Sequence, residues 1–247
     1  MLAWVTGASS GIGRATALEL ASRGHIVLAS ARREDELNEL AEEDDRIIPM
    51  PLDVTDFDGC KAAIDWAEKK YGPIELVILN AGIFESDPVV KLDRMTVAKH
   101  FDVNVMGMVN CLYAVLEGLL LRKRGRIVLT SSIAGYRGFQ NGFSYCATKA
   151  ALISMGETLR LELAPHRIKV QVICPSLVAT KLAADNFKKM KNAITPQEAA
   201  KEIVRGINMD DDFQIRFNNW STWGMSLLRV LPDWMYFPIA EKFMRNL

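Results

Sequence analysis

Over the first 174 residues, short apolar runs alternate with longer stretches whose apolar positions recur at helical spacing. The runs at 2–6, 26–30, 47–50, 76–79, 126–131 and 168–173 are rich in Val, Ile and Leu. They do not alternate strictly with polar residues, which is the pattern of strands buried on both faces. The stretches between them predict helices at 12–22, 34–43 and 58–71, two helices across 92–121, and one over 145–164. Alternation of this kind makes a parallel sheet with helices on both faces, a doubly wound α/β fold of the Rossmann type. The connections are too short to serve as linkers, so the chain is read as a single domain over 1–247.

Beyond Pro175 the rhythm changes. A lysine-rich stretch at 180–191 reads as a helical insertion, and Thr195-Pro-Gln-Glu starts a helix running to about 208. A last strand is expected at 213–217, and the tail at 220–247 is rich in Trp, Leu and Met. Pro232 and Pro238 break that tail, so it is not one continuous span.

Composition narrows the picture. A chain of 247 residues, 49% hydrophobic, is large enough to bury a substantial core. Thirty Lys and Arg balance thirty Asp and Glu, which argues against a nucleic-acid partner, because phosphate binding needs a basic stripe. Cys60, Cys111, Cys146 and Cys174 are widely spaced and form no C-x-x-C pair; they read as small buried thiols in a reducing cytoplasm, with no metal site. The start carries no basic-then-apolar leader, and no run of about 18 uncharged apolar residues occurs, so a cytoplasmic protein without a membrane span is expected.

The chemistry begins at the first strand, which runs into Thr6-Gly7-Ala8-Ser9-Ser10-Gly11-Ile12-Gly13 and then a helix. Gly7, Gly11 and Gly13 allow a tight turn, close backbone approach and close helix packing, and the helix N-terminus presents free N–H groups to a pyrophosphate. The spacing is G-x-x-x-G-x-G, and no Gly-Lys-Ser/Thr closes it as a P-loop would. At the end of the second strand stands Ser30-Ala31-Arg32-Arg33, with no acid before Glu34. A carboxylate there would bind both ribose hydroxyls of NAD, whereas guanidinium groups suit a 2′-phosphate, so NADP(H) is the expected cofactor. Arg32, nearer the strand end, is the better of the two candidates; the alternative use of both is to solvate the next helix.

Tyr145-Cys146-Ala147-Thr148-Lys149 places a tyrosine and a lysine one turn apart on one helical face. A free tyrosine is a poor base at neutral pH, and a nearby ammonium would bring its phenolate into range. Such a pair alone is an ordinary surface feature; its surroundings give it meaning. With the glycine-rich turn come Asp53 and Val54 in Leu52-Asp53-Val54-Thr55-Asp56, Asn80-Ala81-Gly82, Asn104, Ser131-Ser132, and Pro175 with Val178-Ala179-Thr180. In this order and spacing the sequence resembles the short-chain dehydrogenase/reductase family, in its compact single-domain branch, to about residue 180.

That resemblance implies an NADP(H)-dependent oxidoreductase acting on carbonyl or alcohol groups. Residues 1–180 would form the cofactor-binding and catalytic core, and 181–247 a substrate loop and tail. Ser132 would hold the substrate oxygen, and Tyr145 would give it a proton or take one from an alcohol. Lys149 would also bind the nicotinamide ribose, and Asn104 would hold a water relaying protons, although it could instead bridge buried backbone. Ser9, Ser10 and Ile12 belong to the glycine-rich turn. Asp53 resembles the adenine contact, though an Asp after a strand is also a common turn-former. Asn80 would brace the site, and Thr180 would touch the carboxamide. Pro175-Ser176 departs from the family's frequent Pro-Gly without removing a catalytic group. His25, His100 and His166 fall in no catalytic pattern.

The substrate would lie among Phe139, Phe143, Leu177, Leu182 and Phe187, which suits an uncharged or lipid-like carbonyl compound. For the tail three readings stand: a lid or subunit contact, peripheral membrane contact, or core packing. The family implies a homodimer or homotetramer pairing through helices near 102–121 and 145–164. A cofactor-binding sensor or scaffold without turnover is the alternative function, disfavoured by the complete set Asn104, Ser132, Tyr145 and Lys149.

Overall fold

In a computed structural model of the chain, residues 1–184, 193–209, 212–217, 227 and 229–244 are described. Strands β1 (Leu2–Thr6), β2 (Ile26–Ala31), β3 (Ile47–Pro51), β4 (Ile74–Leu79), β5 (Gly125–Thr130), β6 (Ile168–Cys174) and β7 (Gln214–Arg216) pair in parallel. Their order is β3-β2-β1-β4-β5-β6-β7, the doubly wound arrangement expected from the alternating pattern. The chain winds outward from β1 to β3, then returns to lay β4 on the other side of β1. The carboxyl ends of β1 and β4 therefore diverge into separate loops, and a crevice opens between them.

Burial on both faces explains the uninterrupted apolar runs. Successive residues of β1 enter opposite cores: Leu2 and Trp4 face one, Ala3 and Val5 the other. Helices α3 (Phe57–Tyr71), α5 (Gly107–Arg122) and α6 (Phe143–Leu163) cover the first face; α1 (Gly11–Ser22), α2 (Glu34–Glu43) and α8 (Pro196–Ile207) cover the second. Trp4 is fully buried, and its indole N–H donates to Ser30 Oγ at 2.8 Å, so its one polar atom is satisfied. All four cysteines are buried free thiols.

Most element ends differ from the sequence pattern by one or two residues, but one region differs in kind. The two helices expected across 92–121 are one continuous helical run: α4 (Arg94–Phe101), a π-helical turn at Asp102–Met106, and α5. Asp93 caps its start, accepting from Met95 N at 3.2 Å and Thr96 N at 2.9 Å, which leaves Leu92 outside. No Pro or cap interrupts the chain between Phe101 and Gly107, and both keep right-handed helical dihedrals. The extra residue is absorbed by the wide turn instead of a break, a feature often met at functional sites. By length and composition the run Arg94–Arg122 is apolar enough to cross a bilayer, but its α5 portion packs against α3 and the sheet.

Thr195 and Glu198 form a reciprocal capping box for α8, as Thr195-Pro-Gln-Glu foretold. Of the expected insertion at 180–191, α7 (Lys181–Ala184) is helical, and 185–191 lie outside the described residues. In the tail, α9 (Asp233–Met244) docks on the loop between β5 and α6. Tyr236 donates to Gly138 O at 2.8 Å, and Arg137 bonds Asp233 at 3.0 Å while stacking 4.6 Å from the Tyr236 ring. Trp234, Phe237 and Ile239 of the same helix are exposed.

Candidate active site

The crevice is floored by the turn between β1 and α1. Gly7 and Gly11 have φ of +68° and +57°, the left-handed region that favours glycine. At Gly13 a Cβ would lie 2.3 Å from Gly7 O, so this residue lets α1 sit directly on the turn. Ser10 is the N-cap with extended backbone, but its side chain makes no capping bond. The first N–H groups of α1 thus face the crevice with the positive end of the helix dipole behind them.

Across this turn lies Arg33, whose Nη2 donates to Ser9 Oγ at 2.8 Å and Ser10 Oγ at 3.0 Å. Its Nε is held by Glu36 at 3.1 Å. The structure therefore brings Arg33 onto the turn; Arg32, the residue preferred from its place in the strand, stands next to it, and both arginines are exposed. The reason is local: Arg33 is the N-cap of α2 and has extended backbone, which turns its side chain back toward Ser9 and Ser10. A cradle of free N–H groups, two hydroxyls and a guanidinium fits a pyrophosphate with a further phosphate beside it.

The wall of the crevice is tied to the floor by Thr6. Its hydroxyl accepts from Asn80 N at 2.9 Å and Ala81 N at 3.0 Å, and its carbonyl accepts from Asn80 Nδ2 at 3.1 Å. Asn80 thus ties the wall to the floor at both its backbone and its side chain. Gly82 follows, and a Cβ there would stand 3.1 Å from Asn104 Oδ1 and 3.4 Å from Lys149 Nζ. Asp53 uses one carboxylate oxygen in a turn, accepting from Thr55 N at 2.9 Å and Thr55 Oγ1 at 2.8 Å. Buried Val54 lies under Gly107 of α5. On the far side, the Pro175 carbonyl accepts from Ile133 N at 3.1 Å, and Val178 O accepts from Thr180 N at 2.8 Å. The Thr180 methyl lies where a Cβ on Gly11 would be 3.0 Å away, so this loop closes over the glycine-rich turn.

The two adjacent serines after β5 have separate tasks. Ser131 is buried, and its hydroxyl donates to Lys149 O at 2.7 Å. Ser132 accepts from Ala134 N at 3.1 Å. Burial pushes the Tyr145 phenol up to about 12, and the nearby Ser132 hydroxyl opposes that. Lys149 Nζ donates to Thr130 O at 2.9 Å and lies 5.6 Å from the Tyr145 ring centroid. Burial lowers its ammonium to about 8, only partly offset by Cys174. In this arrangement the lysine is anchored to the strand, and the tyrosine keeps its phenol protonated at neutral pH.

Asn104 sits in the π-turn and is 1% exposed. Its Oδ1 accepts from Ile83 N at 2.7 Å; its Nδ2 donates to Ile83 O at 3.0 Å and to Thr148 Oγ1 at 3.1 Å. Both amide protons are used, so the side chain could hold a water only as an acceptor. The backbone-bridging use anticipated for it is realised, and it clamps the loop after β4 to α6. His100 is structural too: fully buried, it accepts from Glu85 N at 3.1 Å through Nε2 and contacts Thr96 O at 2.8 Å through Nδ1.

Motif reading missed Phe84, whose ring lies 4.6 Å from Tyr145 and 6.3 Å edge-on from Phe139. Its place in the loop after a strand at the sheet's reversal point was the available signal. Phe143 and Leu182 are exposed, and Phe187 lies outside the described residues.

The buried Lys149 ammonium gives a stability prediction. Below pH 8 the group is charged both folded and unfolded, and the fold carries the full burial penalty. Between about 8 and 10.5 the unfolded chain binds more protons than the native one, so this contribution to stability rises with pH. Lys149→Met should therefore stabilise the fold at pH 7 by ~2 kcal/mol, after allowing for the lost donor to Thr130 O. The gain should fade above pH 8. Urea melts at pH 7 and pH 9.5 check this, and an equal gain at both would contradict it.

Comparison with known proteins agrees with this geometry. The family model described as short chain dehydrogenase matches residues 1–191. An uncharacterized oxidoreductase of Myxococcus xanthus is 34% identical over 244 residues, covering 97% of this chain and 96% of that one. An NADP-dependent 3-hydroxy acid dehydrogenase of Schizosaccharomyces pombe is 32% identical over 217 residues, covering 81% and 84%. The closed form of serine dehydrogenase complexed with NADP+ superposes with a TM-score of 0.79 at 26% identity, covering 88% of this chain and 94% of that one.

Proposed function

The chain belongs to the short-chain dehydrogenase family, and from that premise we propose that it moves hydride between NADP(H) and a carbonyl or alcohol substrate, with Tyr145 as proton donor and acceptor. The observation carrying this reading is the cluster beside the glycine-rich crevice, where buried Lys149 places its Nζ 5.6 Å from the Tyr145 ring centroid and the Ser132 hydroxyl neighbours the Tyr145 phenol. When bound, the nicotinamide supplies or accepts the hydride.

The protein's own residues handle the oxygen. Ser132 and Tyr145 are two hydroxyls able to grip one carbonyl oxygen, and negative charge growing there strengthens both bonds. Tyr145, neutral at physiological pH, delivers its proton as the oxygen becomes an alkoxide; an ammonium at Lys149 favours the resulting phenolate. Asn104 fixes Thr148 and hence the turn between Tyr145 and Lys149. In the reverse direction the same tyrosine takes the alcohol proton.

Preference for NADP(H) is supported by Arg33 over Ser9 and Ser10, by the lack of an acid before Glu34, and by the NADP-dependent relative. We assign the 2′-phosphate to Arg33, with Arg32 as its exposed neighbour. The apolar rings Phe84 and Phe139 beside Tyr145 favour an uncharged ketone or aldehyde.

The test is NADPH and NADH consumption against a panel of ketones, aldehydes, β-keto esters and steroid carbonyls. Turnover preferring NADPH is expected. Tight NADPH binding with no turnover on any member would move the reading to a cofactor-binding sensor. Arg33→Ala should weaken NADPH binding by about 10- to 100-fold, the worth of a charge-assisted phosphate contact, while leaving NADH unchanged. Equal losses for both cofactors in a binding titration would remove Arg33 from the 2′-phosphate.

A further inference from the structure

We propose that Asp87 is a positioning residue for this reaction, holding the first turn of α6 so that the Tyr145 hydroxyl stays in register with Ser132. This rests on the reading of Tyr145 as the proton donor.

Asp87 is 3% exposed and lies in the loop after β4. Its Oδ2 accepts from Ser144 N at 2.7 Å and also from the Ser144 hydroxyl. Its own N–H donates to Asn141 O at 3.0 Å, so the loop and the start of α6 are bonded in both directions. The N-cap position of α6 is Gly142, which has no side chain to offer. The acceptor for the first turn is supplied from 57 residues away instead, by a carboxylate placed at the positive end of a 21-residue helix. Oδ1 is also buried and has no hydrogen-bond partner among the described residues. A group that only ended the helix could have stood at position 142 itself. Asp87 does something a local cap cannot, which is to join α6 to the β4 loop.

That loop is fixed along its length to the rest of the site. Asn104 grips Ile83 at both N–H and carbonyl, Phe84 stacks on Tyr145, and His100 accepts from Glu85 N. Asp87 is the loop's last anchor, bound to the residue immediately before Tyr145. The tyrosine and Ser132 belong to different segments, so their alignment depends on the first turn of α6 being held from outside. Asp87 provides that hold.

The experiment compares Asp87→Ala and Asp87→Asn in the full chain, with NADPH and the best substrate of the panel. It reads kcat, KM, NADPH affinity by fluorescence titration, and thermal melting. Loosening the hydroxyl by a fraction of an ångström should lower kcat in Asp87→Ala by about 10- to 30-fold, with NADPH affinity within about twofold. Asp87→Asn keeps an acceptor facing Ser144 and should recover kcat to within about threefold of the parent. A lowered melting temperature with full kcat in Asp87→Ala would overturn the proposal, as would Asp87→Asn impaired equally with Asp87→Ala. If Asp87→Ala does not fold, Ser144→Ala carries the test: a kcat loss of about threefold is expected, and full kcat overturns the proposal. Tyr145→Phe is run alongside. Turnover retained there would remove the functional reading itself, whereas loss there with full kcat in Asp87→Ala would remove only the positioning role.

Discussion

Tyr145→Phe is expected to lower kcat by about 10³-fold or more, while NADPH affinity changes by less than about threefold. The substitution deletes one oxygen and keeps the ring. The ring contact with Phe84 at 4.6 Å and the start of α6 therefore survive, and the melting temperature should barely move. What disappears is the proton. With no donor at that point, the substrate oxygen would have to become an alkoxide held by Ser132 alone. The figure follows from the usual worth of a positioned general acid, about 10²–10⁴ in rate, enlarged here because Ser132 and Tyr145 act on one atom. Single-turnover kinetics with preloaded NADPH separate chemistry from binding. Turnover within tenfold of the parent would mean that another group donates the proton, and the role assigned to Tyr145 would have to be withdrawn.

The same tyrosine shows how far sequence can be read and where it stops. Tyr145 and Lys149 share a helical face by spacing, but only the surrounding motifs gave the pair meaning, and the family's spacing to the tyrosine picked Ser132 over Ser131. Their mutual electrostatics were not legible. Reading the pair in isolation suggests an ammonium that acidifies the phenol, yet Lys149 Nζ is turned to Thr130 O and burial dominates both groups. Desolvation depends on every neighbour, and neighbours from β5 and β6 are remote in sequence. Arg33 and Arg32 illustrate a second limit: composition at a strand end cannot say which of two adjacent arginines folds back over Ser9 and Ser10. Asp87 and Phe84 illustrate a third, since neither lies in a motif and their partners are 57 and 61 positions away. The parallel, two-faced sheet was legible because burial on both faces of a strand leaves a compositional trace. The π-turn at Asp102–Met106 leaves none, since it adds a residue without a breaker.

The glycine-rich turn offers the second large effect. Gly13→Ala should reduce NADPH affinity by at least about 10²-fold and destabilise the fold by ~2 kcal/mol, although alanine is the better helix former at that position. The added methyl would stand 2.3 Å from Gly7 O and 2.6 Å from Asn80 Nδ2. The first obstacle is backbone and cannot rotate away; the second is the amide that donates to Thr6 O. Helix α1 must therefore back off from the turn, moving the N–H groups that would meet the pyrophosphate and disturbing Asn80 together with them. Because the clash lies in the free protein, stability and affinity should fall together, unlike the clean loss of chemistry in Tyr145→Phe. Gly24→Ala supplies the contrast. Gly24 has φ of +85° with open space around its Cβ, so that change should cost ~1 kcal/mol of backbone strain and leave NADPH binding intact. Isothermal titration with NADPH and urea melts on the two variants decide the matter. Full affinity in Gly13→Ala would show that the cofactor does not rest on this turn, and the crevice would need another occupant. Matching losses in both variants would trace the effect to general destabilisation instead of the cradle.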